Sequence, residues 1–100
     1  MNFSVNKSIE ILERTPAVLS SLLSGLSHDW ITCNEGEDTW SAFDVVGHLI
    51  HGEQTDWIVR TQLILSTLSD KTFQPFDRFA QFENSKGKSL TELLSEFATL

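Results

Sequence analysis

The chain is 100 residues long, enough for one domain with a modest core, and 40% of its residues are hydrophobic. Its formal net charge is −7 at pH 7 and its seven Lys and Arg residues are scattered, so we expect no nucleic-acid binding. No apolar run approaches the roughly 20 residues that a membrane-spanning helix needs, so we also expect no membrane partner.

Two features of the sequence favour a cytoplasmic location. The single cysteine, Cys33, excludes an internal disulfide and fits a reducing compartment. Residues 1–7 lack the charged-then-apolar order that is typical of a secretory signal peptide. We therefore predict one cytoplasmic domain over residues 1–100.

Residues 4–27 have the spacing of a helix but contain a proline. Thr15 and Pro16 fit an N-cap and a first helical position, which would divide the segment into two helices. Alternatively, Pro16 only kinks one long helix. After the proline, apolar residues recur with the i, i+3, i+4, i+7 pattern of a core-facing helix: Val18, Leu19, Leu22, Leu23 and Leu26.

Residues 41–69 are predicted to form one long helix after a polar connection over residues 28–40. Ser41 is a favourable N-cap, and Asp44 follows at the position where its carboxylate completes a capping box. Trp40 is placed to pack over the first turn. At about 100° per residue, one narrow apolar stripe is expected to face the core. Its members are Phe43, Val46, Ile50, Trp57, Ile64 and Leu68.

Residues 70–88 are predicted to be irregular, although they are rich in phenylalanine. Because aromatic side chains are mostly buried, cover for the core is the favoured interpretation over a pocket lining or a partner surface. These residues are Phe73, Phe76, Phe79 and Phe82. Ser89 is then expected to cap a last helix, with Glu92 at the capping-box position. The apolar face of that helix would be formed by Leu90, Leu93, Leu94 and Phe97.

Two histidines in the long helix form the candidate site. His48 and His51 are three residues apart, so their imidazoles lie on neighbouring sides of the helix and could bind one metal ion. His48 lies about 180° from the apolar stripe. It therefore either lines a polar cavity in a helix that is buried on two sides or faces solvent. The apolar Val45 and Leu49 and the small Gly52 favour the cavity.

Gly47 and Gly52 flank His48 in the same helix. A glycine in a helix interior costs about 1 kcal/mol relative to alanine. Their presence indicates either a close approach of another helix or room for a ligand.

Three parts of the sequence resemble the DinB-like superfamily of helical-bundle metalloproteins. They are the Arg14-Thr15-Pro16 opening with its leucine-rich helix, the Trp40-Ser41 entry, and the segment from Val45 to Glu53. The resemblance implies an all-α, up-down helical bundle. It covers roughly the first two-thirds of such a domain, so the bundle is expected to be incomplete within these 100 residues.

The resemblance also implies a metal site and a chemistry. His48 corresponds to the histidine ligand of the second helix, and the other two ligands would come from an HxxxH pair on a last helix. Such a pair does not occur in this sequence, whose third histidine, His28, lies in the first connection. The family implies nickel or zinc and, for some members, transfer reactions of a small thiol of the bacillithiol or mycothiol type. Because a catalytic zinc normally takes three protein ligands, we expect the 100-residue chain not to be a competent enzyme.

The remaining alternatives concern what completes the bundle. The chain is either a piece of a longer protein, a shortened homologue that dimerises, or a member that binds no metal. An incomplete bundle exposes apolar surface, so a homo-oligomer, most simply a dimer, is expected. A dimer could share one metal between His48 and His51 of both copies. The alternative function is a non-catalytic helical interaction or dimerisation module.

Overall fold

The computed structural model describes residues 2–100, and this part of the chain consists of helices and their connections. In chain order they are α1 (Val5–Leu23), α2 (His28–Thr32), α3 (Ala42–Gly52), α4 (Ile58–Leu65), α5 (Ala80–Ser85) and α6 (Leu90–Ala98). A π-helical turn, Glu53–Trp57, joins α3 to α4 without a break. The predicted all-α fold is confirmed. None of the helices between residues 2 and 100 is long and apolar enough to cross a membrane.

The first helix continues through Pro16. It begins after Ser4, whose hydroxyl accepts a hydrogen bond from the Lys7 N–H at 3.3 Å. The interpretation in which Thr15 caps a second helix is wrong, because the Thr15 hydroxyl donates to the Ile11 carbonyl at 3.0 Å inside α1. No residue of α1 is fully buried, so α1 lies at the edge of the core.

The apolar residues that follow Pro16 divide into two groups. Leu19 and Leu23 pack against the core and are partly buried. Val18, Leu22 and Leu26 are exposed, and the prediction that they face the core is wrong. Within residues 2–100, therefore, only the Leu19 and Leu23 side of the predicted apolar face packs against the core.

The start of the long helix is fixed by the predicted capping box. The Ser41 hydroxyl accepts from the Asp44 N–H at 3.2 Å, and the Ser41 N–H donates to the Asp44 carboxylate at 3.0 Å. Both hydrogen bonds satisfy backbone N–H groups that a helix N-terminus otherwise leaves unpaired. The helical segment ends at Leu65, a few residues before the predicted end at residue 69.

The predicted apolar stripe does not continue past α3. From Trp57 onward its members, Ile64 and Leu68 included, are exposed, and Trp57 retains 64% of its accessible surface. In the π turn, the Ile58 N–H bonds to the Glu53 carbonyl five residues earlier. This turn holds one more residue than an α-helical turn, so it shifts the following side chains by up to about 100° around the axis. The prediction that the α4 part of the stripe faces the core is therefore wrong.

The core is formed where α3 packs on α5 and α6 and where α1 packs on α6. Its buried members are Val46, Ile50, Leu93, Leu94 and Phe97. The predicted cap of the last helix is present, because the Ser89 hydroxyl accepts from the Glu92 N–H at 3.1 Å. The predicted apolar face of α6 is confirmed, with Leu90 partly buried beside the core.

The phenylalanine-rich segment is less irregular than predicted, because it contains α5. Only Phe76 is partly buried, while Phe73, Phe79 and Phe82 are exposed, so the expected core cover is wrong for three of the four rings. The guanidinium carbon of Arg60 lies 4.8 Å from the centroid of the Phe73 ring.

Asp70, on the surface of the same segment, is the acidic group with a clear pKa shift. Its carboxylate accepts hydrogen bonds from the hydroxyl and the N–H of Thr72. These two bonds, the hydroxyl first, lower the pKa of Asp70 because they stabilise the ionised form. The pair closes the turn that follows the long helix.

Because the core has few members, we expect each buried residue to contribute strongly to the free energy of unfolding. Leu93 is 1% exposed at the centre of the core, so Leu93→Ala should lower the free energy of unfolding by about 2–5 kcal/mol. Leu68→Ala is the matched control, since Leu68 is 63% exposed and lies beyond the end of α4, and it should change the free energy of unfolding by less than about 0.5 kcal/mol. Urea unfolding followed by circular dichroism measures both. If both substitutions lowered the free energy of unfolding equally, the central position of Leu93 in the core would be contradicted.

Candidate functional site

The two candidate histidines lie on α3, on either side of one aromatic ring. His48 is half-buried and His51 is buried. The Phe76 ring lies edge-on to His48 with 6.1 Å between centroids, and it is tilted against His51 at 4.8 Å. The segment between α4 and α5 thus covers this side of α3 through Phe76.

A buried glutamine fixes which nitrogen of His48 carries the proton. Gln81 of α5 is 1% exposed, and its side-chain N–H donates to the Asp44 carbonyl at 3.0 Å. A carbonyl oxygen only accepts, so the orientation of the Gln81 amide is determined, and its Oε1 faces His48 Nδ1 at 3.1 Å. In the neutral ring, Nδ1 is therefore the donor. The lone pair of His48 is left on Nε2.

His48 lines a cavity of about 470 Å³. Trp40 lies against the imidazole with 4.9 Å between centroids, and it meets Phe82 edge-on at 6.3 Å. The other lining residues are Asp38, Thr39, Asp44, Phe76, Arg78 and Phe79. Of the two sequence-based alternatives, the cavity and not open solvent is therefore the environment of His48. Trp40, predicted to pack over the first helical turn, reaches the second.

His51 has different partners. Its Nε2 lies 2.6 Å from the Asp77 carbonyl, so in the neutral ring Nε2 is the donor. Its Nδ1 is buried without a hydrogen-bond partner. His51 lines a separate, much smaller space next to Gly47 and Ser85. The two histidines are therefore neighbours on α3 that do not line the same cavity, and His51 attaches the segment before α5 to the helix.

The two glycines that flank His48 have different surroundings. A Cβ on Gly47 would come within 2.6 Å of the Ser85 hydroxyl, so α5 lies in close contact with α3 at a position that has no side chain. This confirms a close helix approach at Gly47. At Gly52, a Cβ would meet only the Trp57 ring at 3.7 Å, which is ordinary contact.

The metal-binding capacity of the site is limited to one clear donor. His48 offers a free nitrogen whose ring partner is already hydrogen-bonded, which is the arrangement of histidine ligands in metal proteins. Among residues 2–100, no group of three His, Cys, Asp or Glu side chains is placed to hold a metal ion. His28 lies in α2 and does not line the His48 cavity.

Sequence reasoning missed three residues of this site. Gln81 bonds to His48 from 33 residues away, and Arg78 and Asp77 also belong to the segment predicted to be irregular. No local pattern marks Gln81, because a glutamine in a short polar helix is normally solvated. Its burial depends on α5 packing against Gly47.

Comparison with known proteins does not assign this chain to a family. No family model matches it, and no curated protein matches it closely enough to count as a relative. The resemblance to DinB-like proteins therefore remains a hypothesis that depends on the residues quoted above.

The Gln81 contact makes a prediction about the tautomer of His48. In the wild-type protein near pH 8, the neutral His48 ring should carry its proton mainly on Nδ1. Gln81→Leu removes the acceptor and should shift the ring towards the Nε2–H form that a free histidine side chain prefers. Long-range ¹H–¹⁵N correlation spectra of the ring measure this, with the exposed His28 as an internal control. An unchanged His48 spectrum in a folded Gln81→Leu variant would contradict the assignment.

Proposed function

We propose that His48 is a ligand of a divalent metal ion, nickel or zinc, in a helical bundle of the DinB-like type. The observation that supports this most is the free Nε2 in an aromatic-walled cavity, combined with an Nδ1–H held by the buried Gln81. Neutral imidazole with one nitrogen hydrogen-bonded and the other free is a favourable ligand for these metals.

The residues present fit such a centre only in part. A catalytic zinc takes about three protein ligands and keeps one open position. His48 supplies one, so the proposal requires further ligands from a second copy or from another segment, and residues 2–100 alone would not be a competent enzyme. His51 is a poor candidate for the second ligand, because its Nε2 bonds to Asp77 and its Nδ1 is enclosed.

The proposed chemistry is transfer of a small thiol of the bacillithiol or mycothiol type. When bound, the metal would act as a Lewis acid that favours the thiolate form of this cofactor. Within this chain, Gln81 orients the imidazole, and the Trp40 and Phe76 rings pack against it. We further propose a cytoplasmic location, which suits the exposed free thiol of Cys33, and no role in nucleic-acid binding.

A metal-loading experiment tests the role of His48. The protein is incubated with Ni²⁺ or Zn²⁺ and separated by size exclusion, and metal per chain is measured by elemental mass spectrometry with molar mass by light scattering. We expect bound metal in the wild type and a loss of at least about tenfold in His48→Ala, since the only clear donor is removed.

His28→Ala is the matched control, because it removes an exposed imidazole that lies outside the His48 cavity. It should leave the metal content unchanged. Half a metal per chain in a dimer would mean that two copies share one ion through His48. Equal metal content in the wild type and His48→Ala would contradict the proposal.

A second candidate function, a helical interaction module, is favoured by exposed apolar side chains on α1 and α4. Burying such side chains is worth about 1.5–3 kcal/mol each, so another helix could gain considerable free energy by covering them. They include Val5, Ile11, Leu12, Val18 and Leu22 on α1 and Val59, Ile64 and Leu65 on α4. We propose that a second copy of the chain covers them, which would give the expected dimer.

Charge substitutions on α4 test this second candidate. Leu65→Glu introduces a charge in the proposed interface and should shift a dimer towards monomer by about tenfold in dissociation constant. Gln74→Glu adds the same charge at an exposed position outside α1 and α4 and is the control. Light scattering over a concentration series measures both. A wild type that stays monomeric at high concentration would contradict the module while leaving the metal proposal open.

A further inference from the structure

A second cavity, larger than the one that His48 lines, lies nearby in the structure. It has a volume of about 770 Å³ and lies between α2, the first turn of α3, α5 and the connection from α5 to α6. Its wall meets that of the His48 cavity at Asp44 and Phe82, but His48 itself lies outside it. The volume falls in the range of roughly 300–1,000 Å³ that small-molecule sites occupy.

The walls of this cavity are mainly apolar. Five large hydrophobic side chains from the α1–α2 connection, α2, α3, α5 and α6 line it: Leu26, Ile31, Phe43, Phe82 and Leu90. Phe43, Ile31 and Leu90 are only partly buried, so each still presents apolar surface to the cavity. An apolar body of a ligand would therefore gain free energy by displacing water from these walls.

The charged groups of the cavity are positive at one end. Lys86 and Lys88 flank Gly87, whose φ of +79° lets the chain turn between α5 and α6. Lys88 is paired with Glu96 at 3.0 Å, whereas the side-chain ammonium of Lys86 has no hydrogen-bond or ion-pair partner among residues 2–100. Lys86 is therefore a lining residue whose positive charge is not already paired.

The acidic residue of the cavity lining does not neutralise the positive charge at the lysine end. Asp44 is the acidic residue of the lining, and its carboxylate already accepts the Ser41 N–H in the capping box. Ser89 and Thr91 add polar groups next to the lysines. His28, on the α2 side, adds an imidazole without a side-chain partner in the described structure. The cavity therefore combines an apolar body with a cationic and hydrogen-bonding end.

We propose that this cavity is a binding site for a small organic carboxylate with an apolar body, and that Lys86 recognises the carboxylate. The apolar walls supply affinity, and the unpaired ammonium supplies the preference for an anion. This inference does not depend on the metal role of His48, since the two cavities present different functional groups.

The test compares a carboxylate probe with its neutral analogue. 4-Phenylbutanoate and 4-phenylbutanamide share one carbon skeleton and differ in charge. They are titrated calorimetrically into metal-free protein at pH 7, with a chelator present. The wild type should bind the carboxylate about tenfold more tightly than the amide, because a hydrogen bond to a charged group is worth about 1.5–3 kcal/mol. Lys86→Gln should remove that preference and leave the amide affinity unchanged.

Lys7→Gln is the matched control, because Lys7 is an exposed lysine at the start of α1, outside the cavity. It should keep the carboxylate preference. Backbone amide shifts should locate the probe at residues 85–91 and at Ile31 and Phe43. Shifts centred instead on the exposed apolar side chains of α4, equal binding of the two probes, or an unchanged preference in Lys86→Gln would each overturn the proposal.

Discussion

The structure depends on the buried amide of Gln81, which joins α5 to α3. One side-chain group makes two hydrogen bonds to α3, to the Asp44 carbonyl and to His48. A buried amide left unpaired costs about 1–3 kcal/mol per group, so α5 can dock on α3 only in the orientation that satisfies both. The docking also brings Ser85 against Gly47, where a Cβ would lie 2.6 Å from the Ser85 hydroxyl and would force that side chain to move. The orientation of His48 and the wall between the two cavities both follow from this contact.

The same docking explains why only half of the long helix is buried. The helices α5 and α6 pack on α3, and α6 also reaches the π turn through the hydrogen bond from the Gln54 side chain to the Glu96 carboxylate at 3.4 Å. Beyond the π turn, the stripe residues Ile64 and Leu68 have rotated away from the α3 face and are exposed. The fold thus has a small, well-packed centre and apolar helix faces on α1 and α4. A partner of helical form would extend the existing core and would not need to create a new one.

The two cavities lie on the two sides of a wall formed by Asp44 and Phe82, and they present different functional groups. On one side, His48 presents a lone pair among aromatic rings. On the other, Lys86 adds an unpaired positive group to a mainly apolar lining. Asp44 lines both cavities, but its carboxylate is occupied by the capping of α3 and its backbone carbonyl accepts from Gln81. A substitution at Asp44 would therefore change the helix cap and the wall between the cavities together.

The sequence by itself determined the features that depend on near neighbours. The capping box of Ser41 and Asp44, the Ser89 cap and the helical class of the whole chain follow from interactions within one or two turns, where spacing alone decides which atoms meet. The sequence left open whether α1 continues through Pro16 and gave no signal for the π turn, and the structure shows both. The surroundings of His48 and His51 depend on Gln81 and Asp77, which lie 33 and 26 residues away along the chain. Only the tertiary structure brings these groups together, because no local period links positions so far apart.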